Sequence, residues 1–111
     1  MDTDGNGYGD LNGITAMMLY LYNIDIETIW LTPIYQSPMK DFGYDVSNYK
    51  EINPLFGTLE DFIRMVETAH NGNMKIIMDF VPNHSSDQHE WFEKSVASIV
   101  TCFLSHNSPL L

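Results

Sequence analysis

Met74-Lys-Ile-Ile-Met-Asp-Phe-Val-Pro-Asn-His84 is the stretch on which the fold turns. Met74 to Val81 is a short, largely apolar run stopped by Pro82, the pattern of a buried strand. Just upstream, Thr58 is placed to cap a helix. Glu60 and Asp61 fall in its first turn, Leu59, Phe62, Ile63 and Val66 form an apolar face, and Asn71-Gly72 end it. Before that helix lies a long irregular stretch from Thr32 to Gly57, rich in Tyr, Phe, Pro and Asp. It follows Ile26-Glu-Thr-Ile-Trp-Leu31, a second β-branched run that Pro33 stops. Nearer the N-terminus, Ile14, Met17, Met18 and Leu21 recur at helical spacing and predict a helix over about residues 12–22, its methionines acting as core filler. Strand, helix, strand at this separation is a βαβ unit, hence a parallel pair with a right-handed crossover. The class is α/β, either a barrel or an open sheet, and in both the chemistry sits beyond the carboxyl ends of the strands.

Composition narrows the partners. The chain has 111 residues, 44% of them hydrophobic and 13% aromatic, which is the balance of one small globular domain. A net charge of −10, with five Lys and Arg scattered at positions 40, 50, 64, 75 and 94, disfavours nucleic acid. The single cysteine, Cys102, excludes an internal disulfide framework. No segment approaches the ~20 apolar residues of a membrane span, and no signal peptide is visible behind the acidic N-terminus.

Three constellations carry chemistry. In Asp79-Phe-Val-Pro-Asn-His84, Asp79 lies in an apolar strand and needs an Arg or a set of hydrogen-bond donors. Asn83 and His84 fall at the strand's rim, where a neutral imidazole can donate to a substrate hydroxyl or ligate a metal, or, in a plain capped strand end, bond a neighbouring loop. In Lys40-Asp-Phe-Gly-Tyr-Asp45, Gly43 permits a tight turn that sets Tyr44 beside Asp45. An aromatic face next to a carboxylate suits a sugar, although the same pair also suits a loop packed on the end of the sheet. In Asp2-Thr-Asp-Gly-Asn-Gly-Tyr-Gly-Asp10, Asp2, Asp4 and Asn6 match the first three ligand positions of a helix–loop–helix calcium site. That site ends in a bidentate Glu, and this chain has Gly13 there, so the standard hand is excluded. With the Tyr8 carbonyl and Asp10 the loop approaches the ~6–8 oxygens calcium prefers; the competing reading is a polar turn whose Asx side chains bond their own backbone. Asp87 reads as a helix cap rather than part of a Ser nucleophile site, His89 and Glu90 lack zinc-site spacing, and His70 suits a helix C-terminus.

Together the segments "DTDGNGYGDLNGI", "TIWLTPIYQSPMKDFGYDVSNY", "INPLFGTLEDFIRMV" and "KIIMDFVPNHSSDQHEWFEKS" resemble the α-amylase family of glycoside hydrolases, in its α-glucosidase (maltase, oligo-1,6-glucosidase) branch. The likeness runs from residue 2 to about residue 96, and the tail 97–111 matches nothing in the family. It implies a partial TIM (β/α)8 barrel, about strands 2 and 3 with helices 1 and 2, which 111 residues do not close because a whole barrel takes ~250. It implies hydrolysis of α-glucosidic bonds in an oligosaccharide, with calcium held by Asp2, Asp4, Asn6, the Tyr8 carbonyl and Asp10. His84 would hydrogen-bond the glucose, Tyr44 would stack on it, Asp45 would hold its hydroxyls, Asp79 would support the site and Asn83 would brace the loop. The family cleaves with an Asp nucleophile and a Glu acid/base on later strands. No residue here occupies those motifs, so the catalytic set of this chain is empty and the chain alone is expected to be inactive. Extracellular or membrane-attached forms are what the resemblance suggests for location.

Two other readings compete. Heavy subunits of heteromeric amino-acid transporters use a related barrel as an ectodomain and pair with a membrane light subunit. The acidic loop alone suggests a small autonomous calcium-binding module. The sugar-site trio Tyr44, Asp45 and His84 favours the hydrolase.

Overall fold

The computed structural model describes residues 1–106, and side chains as far as residue 99; the rest of the tail assigned to 97–111 lies outside the described residues. In chain order the elements are α1 (Leu11–Asn23), β1 (Thr28–Leu31), β2 (Tyr35–Gln36), β3 (Asn48–Ile52), α2 (Leu59–Asn71), β4 (Lys75–Met78) and α3 (Glu90–His106). Strands β1 and β4 pair in parallel, with Thr28 opposite Lys75, Trp30 opposite Ile77 and Leu31 opposite Met78. The expected βαβ unit is therefore present, with α2 as its crossover. Neither sheet among the described residues is closed, so the chain is a partial α/β structure.

Helix α2 forms where its signals coincide. Thr58 accepts the Asp61 amide through its hydroxyl, and the Asp61 carboxylate accepts the Thr58 amide in return, so two orphan donors of the first turn are satisfied together. Its apolar side buries Met65 and Ala69 completely. With Leu11 and Met18 of α1, Leu31 of β1, Ile34 and Met74, these residues form the core, and the partly buried Ile29, Ile76 and Met78 pack on it. Helices α1 and α2 thus cover one face of the parallel pair. The other face is bare, with Trp30 59%, Ile77 52% and Phe80 77% exposed. No described helix is long and apolar enough to cross a membrane.

Three local expectations are corrected. Strand β4 stops at Met78, so Asp79 stands just past it, half-buried rather than enclosed, although its amide still donates to Leu31. The stretch 32–57 is not wholly irregular, because β2 and β3 pair antiparallel inside it across a register shift. At the start of α3, Asp87 does not cap. Its carboxylate takes the Ser86 hydroxyl and Lys40, while the His89 Nδ1 accepts the Trp91 amide at 3.1 Å.

Candidate sugar-binding rim

The loops that follow β1 and β4 meet at the carboxyl end of the parallel pair, and tyrosine hydroxyls join them. Tyr35 of β2 donates to the Asp79 carbonyl at 3.0 Å. Tyr44 donates to the Asp79 carboxylate at 2.7 Å. Tyr49 of β3 reaches the carbonyls of Val81 at 3.0 Å and His84 at 2.7 Å. Asp79 finds its partner in a hydroxyl, not an Arg. The bond to Asp79 pushes the Tyr44 pKa above its ordinary value, burial and the Asp79 charge adding to it, so the hydroxyl stays protonated as a donor.

Gly43 makes the turn before Tyr44 with φ of +95°, and a Cβ there would lie 3.0 Å from the Pro33 carbonyl oxygen, so the position accepts only glycine without a shift. Asp45 organises this loop from within. Its carboxylate accepts the Ser37 hydroxyl at 2.7 Å and the amides of Lys40 and Asp41 at 2.9 and 3.2 Å. Burial opposes ionisation of Asp45, but the Ser37 hydroxyl and these amides outweigh it and hold the pKa below the ordinary carboxylate value. Asp41 was passed over in the sequence. It is exposed, its charge contributes to the raised Tyr44 pKa, and its backbone carbonyl accepts the Tyr44 amide at 2.9 Å.

At the end of β4, Asn83 and His84 are exposed. Among the described residues the Asn83 side chain makes no hydrogen bond, and the carbonyls of Val81 and His84 on either side of it are met by the Tyr49 hydroxyl. An open groove of about 470 Å³ runs over this bend, lined by Tyr49, Phe80, Val81, Pro82, His84 and Trp91, among others. Tyr44 and Asp45 lie outside its walls; Tyr44 is tied to its edge through Asp79, the residue before Phe80.

The N-terminal loop brings oxygen atoms of Asp2, Asp4 and Asp10 within 4.8 Å of one another. Asp2 accepts the amides of Gly5 and Gly7 at 2.7 and 2.9 Å, and Asp4 accepts the Asn6 amide and side chain. Asp10 accepts the Thr3 hydroxyl at 2.8 Å and caps α1 through the Gly13 amide at 2.6 Å. The Gly7 amide chiefly lowers the Asp2 pKa, and the Thr3 amide that of Asp10. Three carboxylates converge with no Lys or Arg among residues 1–10, which fits a hard divalent cation. Asn6 turns its amide nitrogen to Asp4 and its oxygen to the Tyr8 amide, so its use as a ligand requires that amide to reverse.

The Alpha amylase, catalytic domain family matches residues 1–108. Maltase 1 of Drosophila virilis is 57% identical over 96 residues, which are 86% of this chain and 15% of that protein. The alpha-glucosidase of Culex pipiens is 57% identical over 97 residues, 87% of this chain and 17% of that protein. The crystal structure of Bacillus licheniformis trehalose-6-phosphate hydrolase superposes with a TM-score of 0.82 at 48% identity, covering 85% of this chain and 17% of that one. The chain thus spans 15–17% of the length of these relatives.

Proposed function

Because this chain belongs to the alpha-amylase catalytic-domain family, we propose that it is a segment of an α-glucosidase and forms part of the wall that binds the sugar. Residues 1–96 are the barrel segment, about strands 2 and 3 with helices 1 and 2 of a TIM barrel; the tail set apart at 97–111 begins inside α3 and lies within the family match as far as residue 108. The bare face of β1 and β4, with Trp30 and Ile77, is then the side that the remaining strands cover.

The observation that carries this reading is the 2.7 Å bond between Tyr44 and Asp79, which ties the loop after one parallel strand to the end of the next. Chemistry in such sheets is built where loops beyond strand ends converge. Tyr44 supplies an apolar ring for the C–H face of a glucose unit, and His84 donates to or accepts from its hydroxyls. Asp45 and the exposed Asp41 supply carboxylates; three donors of its own loop already engage Asp45, so Asp41 has more capacity left for sugar hydroxyls. Asp79 and Asn83 support the rim. These residues bind and orient, and none is the nucleophile or the acid/base. Calcium, held by Asp2, Asp4, Asn6, the Tyr8 carbonyl and Asp10, would neutralise the loop and pin it to the start of α1. The relatives bear the names of hydrolases, which favours this reading over the transporter ectodomain and the small calcium binder.

The test is calorimetric titration of maltose into the longest chain that the gene encodes, native and Tyr44→Ala. Saturable binding that Tyr44→Ala weakens about thirty-fold is expected. Equal heats from the two proteins would contradict the assignment.

A further inference from the structure

The bend from Val81 to His84 has no backbone hydrogen bond across it among the described residues. Pro82 removes one donor outright, and the carbonyls of a strand end that has left its ladder need donors from elsewhere. A single side chain answers that need. The Tyr49 hydroxyl lies 3.0 Å from the Val81 carbonyl and 2.7 Å from that of His84.

We propose that Tyr49 is a positioning residue for His84, its one hydroxyl spanning the two carbonyls so that the bend closes around it and the imidazole stands at a fixed place on the rim. The inference rests on the reading of that rim as a sugar site. Tyr49 is suited to the task because its own ring is fixed. It stacks on Trp91 with centroids 6.0 Å apart and planes at 26°, and meets His89 at 5.6 Å and Tyr35 at 5.9 Å. Burial raises the Tyr49 pKa, so the hydroxyl keeps the proton it donates. Past the bend, the Ser86 amide donates to the carbonyl of fully buried Val46 at 2.8 Å. The segment that carries His84 is therefore pinned on both sides, by Val46 just before β3 and by Tyr49 within it. With the imidazole exposed and the Asn83 amide unbonded among the described residues, the backbone grip is what holds the group.

A purely space-filling role for Tyr49 predicts that its ring alone matters, and Tyr49→Phe separates the two. The longest chain that the gene encodes is labelled with ¹³C at histidine Cε1. In Tyr49→Phe the His84 signal should move and broaden while the His70 signal and cooperative melting persist. Maltose affinity should fall roughly three- to ten-fold, the factor that one ordinary hydrogen bond carries. Tyr35→Phe, which loses only its bond to the Asp79 carbonyl, should leave the His84 signal in place. An unmoved His84 signal in folded Tyr49→Phe overturns the inference. If that variant does not fold, 3,5-difluorotyrosine at position 49 keeps ring and hydroxyl but gives up its proton at lower pH. The His84 signal should then follow the fluorine signal as the hydroxyl titrates, and independence of the two overturns the inference. The His84 signal is read without sugar and decides the positioning role. Whether maltose shifts that signal in the native chain decides the sugar reading separately.

Discussion

The acidic loop at residues 2–10 and the tyrosine-tied rim are both polar, and they are built in opposite ways. In the loop, the bonds run chiefly between neighbours: Asp2 to Gly5 and Gly7, Asp4 to Asn6, Asn6 to Tyr8, with a longer 3.4 Å donation from the Asn6 side chain to the Leu55 carbonyl. At the rim they join residues far apart in sequence: Tyr35 and Tyr44 to Asp79, Tyr49 to Val81 and His84. Local bonds fix a loop's own shape and depend little on the rest of the chain. Long-range bonds exist only once β1, α2 and β4 have docked. The rim is therefore a property of the fold, and the loop is largely a property of its own sequence.

Both regions rest on one core, so the sharpest way to break the contrast is to weaken that core. Met65 is fully buried on α2, and Met65→Ala should cost about 2–5 kcal/mol of stability in a denaturant titration. Maltose binding should go before calcium binding does; loss of both together would mean that the loop depends on the fold as much as the rim.

Calcium sharpens the loop's side of the comparison. At a hundred-fold excess over its dissociation constant the ion should add about 2.7 kcal/mol, seen as a raised melting temperature that chelator reverses. Asp4→Asn should remove most of that gain and leave maltose affinity unchanged. Tyr44→Ala should weaken maltose binding about thirty-fold, while Tyr44→Phe, which keeps the ring and loses the Asp79 bond, should lose only about three-fold. Comparable losses would mean that the hydrogen bond, and not the ring, matters.

Two smaller effects set the baseline. Thr58→Ala removes the helix cap and should cost about 1 kcal/mol with no change in either ligand response. The last is acid. The folded pKa of Asp45 lies below the ordinary value of 3.8, so its contribution to stability is present above that pH and is lost as pH falls through the lower, folded value. Asp2, Asp10 and Asp61 share this direction. Stability should decline below about pH 4, and Asp45→Asn should flatten part of that decline in melting temperatures measured against pH.

The same contrast explains what the sequence reveals. The capping pair Thr58 and Asp61 and the run Lys75–Met78 announce themselves because their causes are local. So does the alternation of Asp2, Asp4 and Asn6. The apolar face read as Leu59, Phe62, Ile63 and Val66 is displaced: Leu59 and Ile63 are exposed, and Met65 and Ala69 carry the core contact. Strand β2 does not announce itself, since Tyr35–Gln36 is too short for any period and its pairing is irregular. Nor do the hydroxyl ties, because nothing near Tyr49 in sequence points to Val81 or His84. Asp45 and Asp41 flank the same glycine turn, and only the folded loop separates the carboxylate that its own backbone occupies from the exposed one.

The most direct test of the central claim is a maltose titration of the longest encoded chain, followed by the ring signals of Tyr44 and the imidazole signal of His84. If the two strand-end loops form one sugar-binding wall, both sets shift together and fit a single dissociation constant. Shifts in a folded chain that spare both residues, or that give them different constants, would contradict it.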